Sequence, residues 1–414
     1  MNVLLHTPEG VRDIYNEECR RKVILSGKLT RMLHLYGYQD IETPTFEFFD
    51  IFNRERGTLP SRNMYKFIDR DGSTLVLRPD ITPSIARAAA KYFMDESIPL
   101  KFAYCGNTFA NTSSLQGNMK ETTQIGAELI GDSSIDGDAE LIALAIQMLL
   151  SSGLKEFQLS IGHAGFFKAL IEAAQLSDED MASLRQLISD KNYFAVETFA
   201  GSLDLPEGTA ELLSKLPQMF GGVSVLEEAR ALTNDETAIN ILDDLSALYQ
   251  KIEAYGFARY ITIDLGMLSS YDYYTGIIMR GYTYGTGDAI VKGGRYDHLL
   301  GQFGKEAASV GFVIVVDELM LALSRQKIDL PDGDMTTMIL YRSNLTREAV
   351  QLAGKLRAEG RQVSMFCEDP DKCLDDYMDY CKRFHMDCIL RLVESSVLHR
   401  IDPADGSVSE EVTP

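Results

Sequence analysis

Apolar positions along this chain fall into alternating helical and extended rhythms. Leu25, Leu29, Met32, Leu33 and Tyr36 recur at helical spacing within residues 17–36, and Gly37 stops the run. Tyr38 to Phe46 reads as a strand ending near Pro44, and Val76 with Leu77 lies in another. Thr82-Pro83 has the form of an N-cap followed by proline in the first turn, so a helix is expected to about Phe93. Lys101–Tyr104 and Thr123–Ile130 read as strands around a polar, glycine-containing connection. Asp138–Leu150 is apolar on almost every side, which predicts a buried helix stopped by Gly153.

Alternation at Phe157, Leu159 and Ile161 predicts a further strand, and residues 164–256 are expected to be almost wholly helical. Ser177 with Asp180, and Ser224 with Glu227, resemble capping boxes. Ile241, Leu245, Leu248, Ile252 and Tyr255 form one helical stripe closed by Gly256. Strands return at Ile261, Ile263 and Leu265 and continue through a Tyr/Gly-rich hairpin region at 273–296; Val310–Leu323 reads as a closing helix. Leu330-Pro-Asp-Gly-Asp334 has the chemistry of a linker, which predicts one domain over 1–330, with a helical insertion at about 164–256, and a second over 335–414. In the second, strands at 336–341, 363–366 and 387–392 alternate with helices at 346–359 and 373–385, the pattern of a small α/β domain with a parallel or mixed sheet. Asp402–Pro414 is polar and expected to fray.

Composition narrows the function. The 414 residues are 45% hydrophobic, ordinary for a globular chain with a large core. No apolar run is long enough to span a membrane, and with no basic segment before an apolar core the N-terminal residues are not expected to form a signal peptide. The formal charge of −21 repels nucleic acid and anionic lipid at long range. Six irregularly spaced cysteines without C-x-x-C argue against a zinc site and for a reduced, cytoplasmic protein. A phosphate-binding G-x-x-x-x-G-K-[ST] loop, a G-x-S-x-G elbow and H-E-x-x-H are all missing, and an isolated histidine such as His163 reads as structural. No cofactor or metal is expected.

What remains is a set of polar residues inside strand-like segments. Leu77-Arg-Pro-Asp-Ile-Thr82 puts a carboxylate and a hydroxyl at a strand end. Gln124 and Glu128 lie four apart, and strand alternation gives them the same side. Ser270-Tyr-Asp-Tyr-Tyr-Thr-Gly276 adds Asp272 and clustered phenols. Converging, these would make a pocket for a small cationic or zwitterionic ligand; apart, they are satisfied core polar groups and hairpin tyrosines.

Taken in order, the segments resemble a class II aminoacyl-tRNA synthetase core of the histidyl type. The matching pieces are Thr7-Pro-Glu-Gly-Val-Arg-Asp-Ile14, the long helix and strand ending at Pro44, Leu77–Thr82, Gln124–Glu128, Tyr271–Thr275 and Gly293-Gly-Arg-Tyr-Asp-His-Leu299. The resemblance covers roughly residues 5–325, and the tail is more loosely similar to that family's anticodon-binding domain. It implies an α+β fold: an antiparallel synthetase-like sheet with a helical insertion, plus the small C-terminal α/β domain. It also implies a histidine pocket of Asp80, Thr82 and Gln124 at the α-amino group and Glu128, Tyr273 and Tyr274 at the imidazole.

The resemblance breaks where ATP would be held. The second class motif carries arginine and glutamate, and here reads Phe109-Ala110-Asn111-Thr112; the third ends in arginine, and here reads Val315-Val316-Asp317-Glu318. The histidyl-type arginine before the tyrosine pair aligns with Ser269. Three lost charge-assisted contacts are worth roughly 4.5–9 kcal/mol, or about three to six powers of ten in rate if they add. Adenylate chemistry is therefore expected to be absent.

A kept histidine pocket with lost ATP arginines resembles the regulatory subunit family of ATP phosphoribosyltransferase. That resemblance implies a non-catalytic partner of the short-form catalytic subunit, which it activates and through which L-histidine feeds back. It also implies self-association as a dimer through about residues 17–45. Residues 335–414 carry 10 Lys+Arg against 14 Asp+Glu, a poor surface for tRNA. The alternatives are a free-standing histidine sensor and an active synthetase with eccentric motifs.

Overall fold

The computed structural model describes residues 5–52, 60–112, 119–174, 176–203, 205, 208–268, 273–330, 335–395 and 397–412. The chain forms two compact units, one of residues 1–12 and 25–329, the other of residues 13–24 and 330–414.

In chain order the first elements are α1 (Asn16–Leu35), β1 (Gln39–Asp40), β2 (Phe46–Phe48), β3 (Lys66–Ile68), β4 (Thr74–Leu77), α2 (Thr82–Tyr92), β5 (Leu100–Phe109), β6 (Glu121–Ile130), α3 (Ile135–Ser151) and β7 (Phe157–His163). The insertion then supplies α4 (Ala164–Ala174), α5 (Asp178–Ser189), α6 (Tyr193–Ser202), α7 (Thr209–Lys215), β8 (Phe220–Gly221), α8 (Ser224–Arg230) and α9 (Glu236–Ala254). The chain returns through β9 (Ile261–Asp264), β10 (Ile277–Thr283), β11 (Val291–Arg295), β12 (Ser309–Val315) and α10 (Val316–Arg325).

Among the described residues, nine strands form one sheet in the order β1-β5-β6-β12-β11-β10-β7-β9-β8. Only β1–β5 and β7–β9 pair parallel in it; the other neighbours are antiparallel. The sheet is the antiparallel α+β core that the resemblance implies. Helix α3 has a wholly buried apolar stretch, Leu141 to Ile146, and Ser134 caps it by accepting the Gly137 N–H. A smaller sheet, β2-β4-β3, lies beside it in sequence.

Several expectations need correction. Val310–Leu323 is not one helix: its first half is β12, a central strand, and only the second half continues as α10. A strand buried on both faces is apolar at every position and loses the alternation that marks an exposed one. The strand read over Tyr38–Phe46 is two short pieces, β1 and β2, broken around Pro44, which has no N–H to donate. Ser224 lies inside the first turn of α8 without capping it, and Ser177 does cap α5. In Ser177 the reciprocal contact runs from its own hydroxyl to Asp180 Oδ2 (2.6 Å), not from a backbone amide.

The second unit contains β13 (Thr336–Tyr341), α11 (Thr346–Ala358), β14 (Gln362–Cys367), α12 (Leu374–Arg383), β15 (Met386–Glu394), β16 (Val397–Ile401) and β17 (Val408–Val412). Its sheet runs β14-β13-β15-β16-β17, parallel over the first three strands and antiparallel thereafter. The tail expected to fray instead supplies β17, paired along β16 from Val408 to Val412. Residues 331–334, within the linker read from sequence, lie outside the described residues.

Candidate functional site

The site is built on one face of the large sheet. Residues directly opposite on neighbouring strands share a face, and Glu128 of β6 stands opposite Gly311 of β12, which stands opposite Gly294 of β11. The two glycines leave the floor open. A Cβ on Gly311 would overlap the Glu128 carboxylate, and one on Gly294 would press on the Tyr274 ring at 2.9 Å. Gly126, two residues before Glu128, makes room for the Tyr104 hydroxyl in the same way. The pairing of β5 with β6 is continuous, so Gln124 and Glu128 share a face by plain alternation, with no bulge. From β6 to β11 is two strand spacings, about 10 Å.

Thr82 opens α2, but its role differs from the sequence expectation. Its hydroxyl does not cap the helix; it donates to Glu128 Oε1 at 2.6 Å. No side chain caps α2; Asp80, just before the N-cap Ile81, turns back on the backbone, its Oδ1 accepting the N–H groups of Ile81 (2.7 Å) and Thr82 (3.2 Å). Asp80 Oδ2 accepts from the Tyr273 hydroxyl at 3.2 Å. Thr82 therefore links the two acids, its backbone to Asp80 and its side chain to Glu128.

Glu128 is 1% exposed. Its Oε2 accepts from the Tyr296 hydroxyl, and Tyr104 also hydrogen-bonds to it. Burial pushes its pKa up to about 8, with the nearby Asp80 charge adding to the rise; the Thr82 and Tyr296 hydroxyls oppose it. Burial also raises Asp80 above the ordinary carboxylate range. Two desolvated acids with no cation beside them among the described residues are complementary to a cationic ligand group.

The tyrosine pair stands over this floor. The Tyr273 ring meets Tyr274 edge-on at 4.8 Å and Tyr296 at 5.8 Å. Their loop is fixed from below: Thr275 N–H donates to Arg295 O (2.8 Å) and Thr275 Oγ1 to Asp297 (3.1 Å). Arg295 is itself buried against Asp138, with an Nη2–Oδ1 distance of 2.6 Å. Burial raises Asp138 to about 6 despite that guanidinium. The structure thus brings Asp80, Thr82, Glu128, Tyr273 and Tyr274 together. Gln124 sits two alternations along β6, half-buried, with its amide unbonded among the described residues.

Sequence reasoning passed over Tyr104 and Tyr296 as partners of Glu128, although Tyr296 lies inside the Gly293–Leu299 motif. It also passed over Gly126 and Gly311, whose signal was glycine at face positions of strands. Ser269, Tyr271 and Asp272 lie outside the described residues. Elsewhere, Phe109 ends β5 and Ala110 follows with a methyl group only. Glu318 of α10 has a buried Oε2 with no hydrogen-bond partner among the described residues, and burial with neighbouring Asp288 raises its pKa. His163 is half-buried, desolvation lowers its pKa to about 4, and its Nδ1 accepts the Gly165 N–H.

The histidyl-tRNA synthetase family profile matches residues 10–319. A relative from Acetivibrio thermocellus, named ATP phosphoribosyltransferase regulatory subunit, is 38% identical over 361 residues, covering 87% of this chain and 86% of its own. One of the same name from Clostridium acetobutylicum is 38% identical over 404 residues, covering 96% and 98%. The chain belongs to the ATP phosphoribosyltransferase regulatory subunit family. A solved member from Bacillus halodurans, described as regulatory subunit/histidyl-tRNA synthetase, superposes with TM-score 0.83 at 34% identity, covering 91% of this chain and 96% of that one. Histidyl-tRNA synthetase from Nostoc superposes with TM-score 0.82 at 19% identity over 98% and 96%, which shows the shared fold. Membership in this family makes the chain a regulatory rather than a catalytic subunit, on a synthetase-like core.

Proposed function

We propose that the chain binds the short-form catalytic subunit of ATP phosphoribosyltransferase, activates it, and carries feedback inhibition by L-histidine. The effector's α-amino group is held by Asp80, Thr82 and Gln124, and its imidazole by Glu128, Tyr273 and Tyr274. The carrying observation is the linked pair of desolvated acids, half-buried Asp80 and buried Glu128, joined through Thr82 on a glycine floor. That arrangement suits an amine and a ring that can carry a proton. Ala110 and the Glu318 carboxylate stand where a synthetase would need cations, so ATP gains no support there.

Inhibition requires histidine to bind one assembly state more tightly than another; a coupling of about 1–3 kcal/mol is the usual scale. The chain works as a dimer with no tRNA, in the cytoplasm, and the division at 330–335 separates the effector-binding core from the tail. Phosphoribosyl-ATP formation by the catalytic subunit, with and without this chain, tests the proposal. A large rise in rate that added histidine reverses is expected. No effect on turnover refutes it and favours the free-standing sensor.

A further inference from the structure

The second unit contains a crevice that the effector site does not use. In the sheet β14-β13-β15, β13 is central; α11 carries the chain outward from β13 to β14 and α12 carries it back across to β15, and the two helices pack on opposite faces. Helix α11 packs Ala349, Leu352 and Leu356 against Ile339 and Leu390; α12 packs Tyr377 and Cys381 against Met338 and Ile389. Adjacent residues of β13 thus point to different helices. The chain therefore switches direction at the carboxyl end of β13, the place where open α/β sheets form ligand crevices. A cavity of about 420 Å³ lies there.

Its cationic lining is Arg342, just past β13, Arg391 on β15 and Lys372 before α12. Glu368, at the end of β14, holds both guanidinium groups by the same edge. It accepts from Arg391 Nε at 2.5 Å and from Arg342 Nε at 3.4 Å. The backbone fixes Glu368 in turn, its N–H donating to Tyr341 O at 2.7 Å. The terminal nitrogens of both arginines make no hydrogen bond among the described residues. Asp369 also lines the crevice, 4.0 Å from the Lys372 ammonium, so the lining carries three cations against two acids. That positive excess lies in a segment, 335–414, whose own balance is negative, 10 Lys+Arg against 14 Asp+Glu.

We propose that this crevice binds a small phosphorylated molecule, with the terminal nitrogens of Arg342 and Arg391 gripping the phosphate and Lys372 adding charge. Two guanidinium forks and an ammonium offer more donors than the two oxygens of one carboxylate can accept. A phosphate monoester or pyrophosphate brings at least three oxygens and a charge near −2. Glu368 is a positioning residue that keeps both forks turned the same way.

The test is calorimetric titration of the full chain with inorganic pyrophosphate and, separately, with AMP, at low salt. Saturable binding of at least one probe is expected, weakened about tenfold or more in Arg342→Gln, the loss of one charge-assisted contact. Arg342 lies past the strand end with 60% of its side chain exposed, so this variant leaves the sheet intact. The double variant R342Q/R391Q should abolish binding. Histidine affinity, measured in the same preparations, should not change. Flat isotherms with both probes, affinity equal in wild type and Arg342→Gln, or capture of tRNA without binding of either probe would each overturn the proposal. None of these outcomes depends on whether the core binds histidine.

Discussion

Replacing Glu128 with glutamine changes one proton and almost no volume. In the wild type, burial raises the Glu128 pKa from 4.5 to about 8. A raised acid favours the protonated folded state, so its contribution to stability is fully present below pH 4.5. It is lost as pH rises through the folded-state value. The full difference, 3.5 pH units at 1.36 kcal/mol each, is about 5 kcal/mol. Between pH 5 and 8.5 the linkage relation gives a wild-type loss from this group of about 4 kcal/mol. Glutamine cannot ionise, and its oxygen and amide can still meet the hydroxyls of Thr82 and Tyr296. The expected result is that Glu128→Gln loses about 4 kcal/mol less stability than wild type over that interval. Urea unfolding followed by far-UV circular dichroism reads it, since the chain has no tryptophan. Asp80 is present in both proteins, and its charge coupling to Glu128 is a smaller cause of the shift than burial. Parallel pH profiles for the two proteins would show that Glu128 ionises freely in the folded state, and the desolvation argument would fall with it. Histidine affinity in the variant should also drop, because the uncharged amide cannot pair with an imidazolium.

Three other substitutions probe the same construction. Gly311→Ala places a methyl group on the Glu128 carboxylate and near the Ala127 carbonyl; a cost of about 1–3 kcal/mol in stability and loss of measurable histidine binding in calorimetry are expected, and unchanged affinity would remove this face from the site. Asp80→Asn keeps one oxygen for the Ile81 and Thr82 amides but removes the charge; histidine binding should weaken by about tenfold or more with the melting temperature nearly unchanged. Arg295→Leu leaves Asp138 buried and unpaired; a loss of about 3–5 kcal/mol in urea unfolding is expected, partly recovered by adding Asp138→Asn.

Much of this architecture was legible because its helices are long and amphipathic or closed by glycine, as at Gly37, Gly153 and Gly256. Failures came where two structures share one composition. The β12–α10 segment is apolar from Val310 to Val316 and runs without a break into the helical pattern of α10, and only its pairing with β6 and β11 makes the first half a strand. Thr82 carries the signature of a cap, yet the neighbouring carboxylate takes both amides and frees the hydroxyl for Glu128, 46 residues away in sequence. The same limit hid Tyr296, which meets Glu128 across 168 residues. Spacing along a chain shows which residues could share a face; it does not show which strand supplies the opposite wall. Here that wall is glycine. Gly126, Gly294 and Gly311 bear no functional group, yet without them the Tyr104 hydroxyl, the Tyr274 ring and the Glu128 carboxylate could not occupy their places. A sequence search for chemistry looks for acids, phenols and cations, and so it finds the groups that would touch a ligand while missing the residues that make their positions available. In a core of this kind a glycine at a face position of a central strand is as informative as the acid it lies beneath.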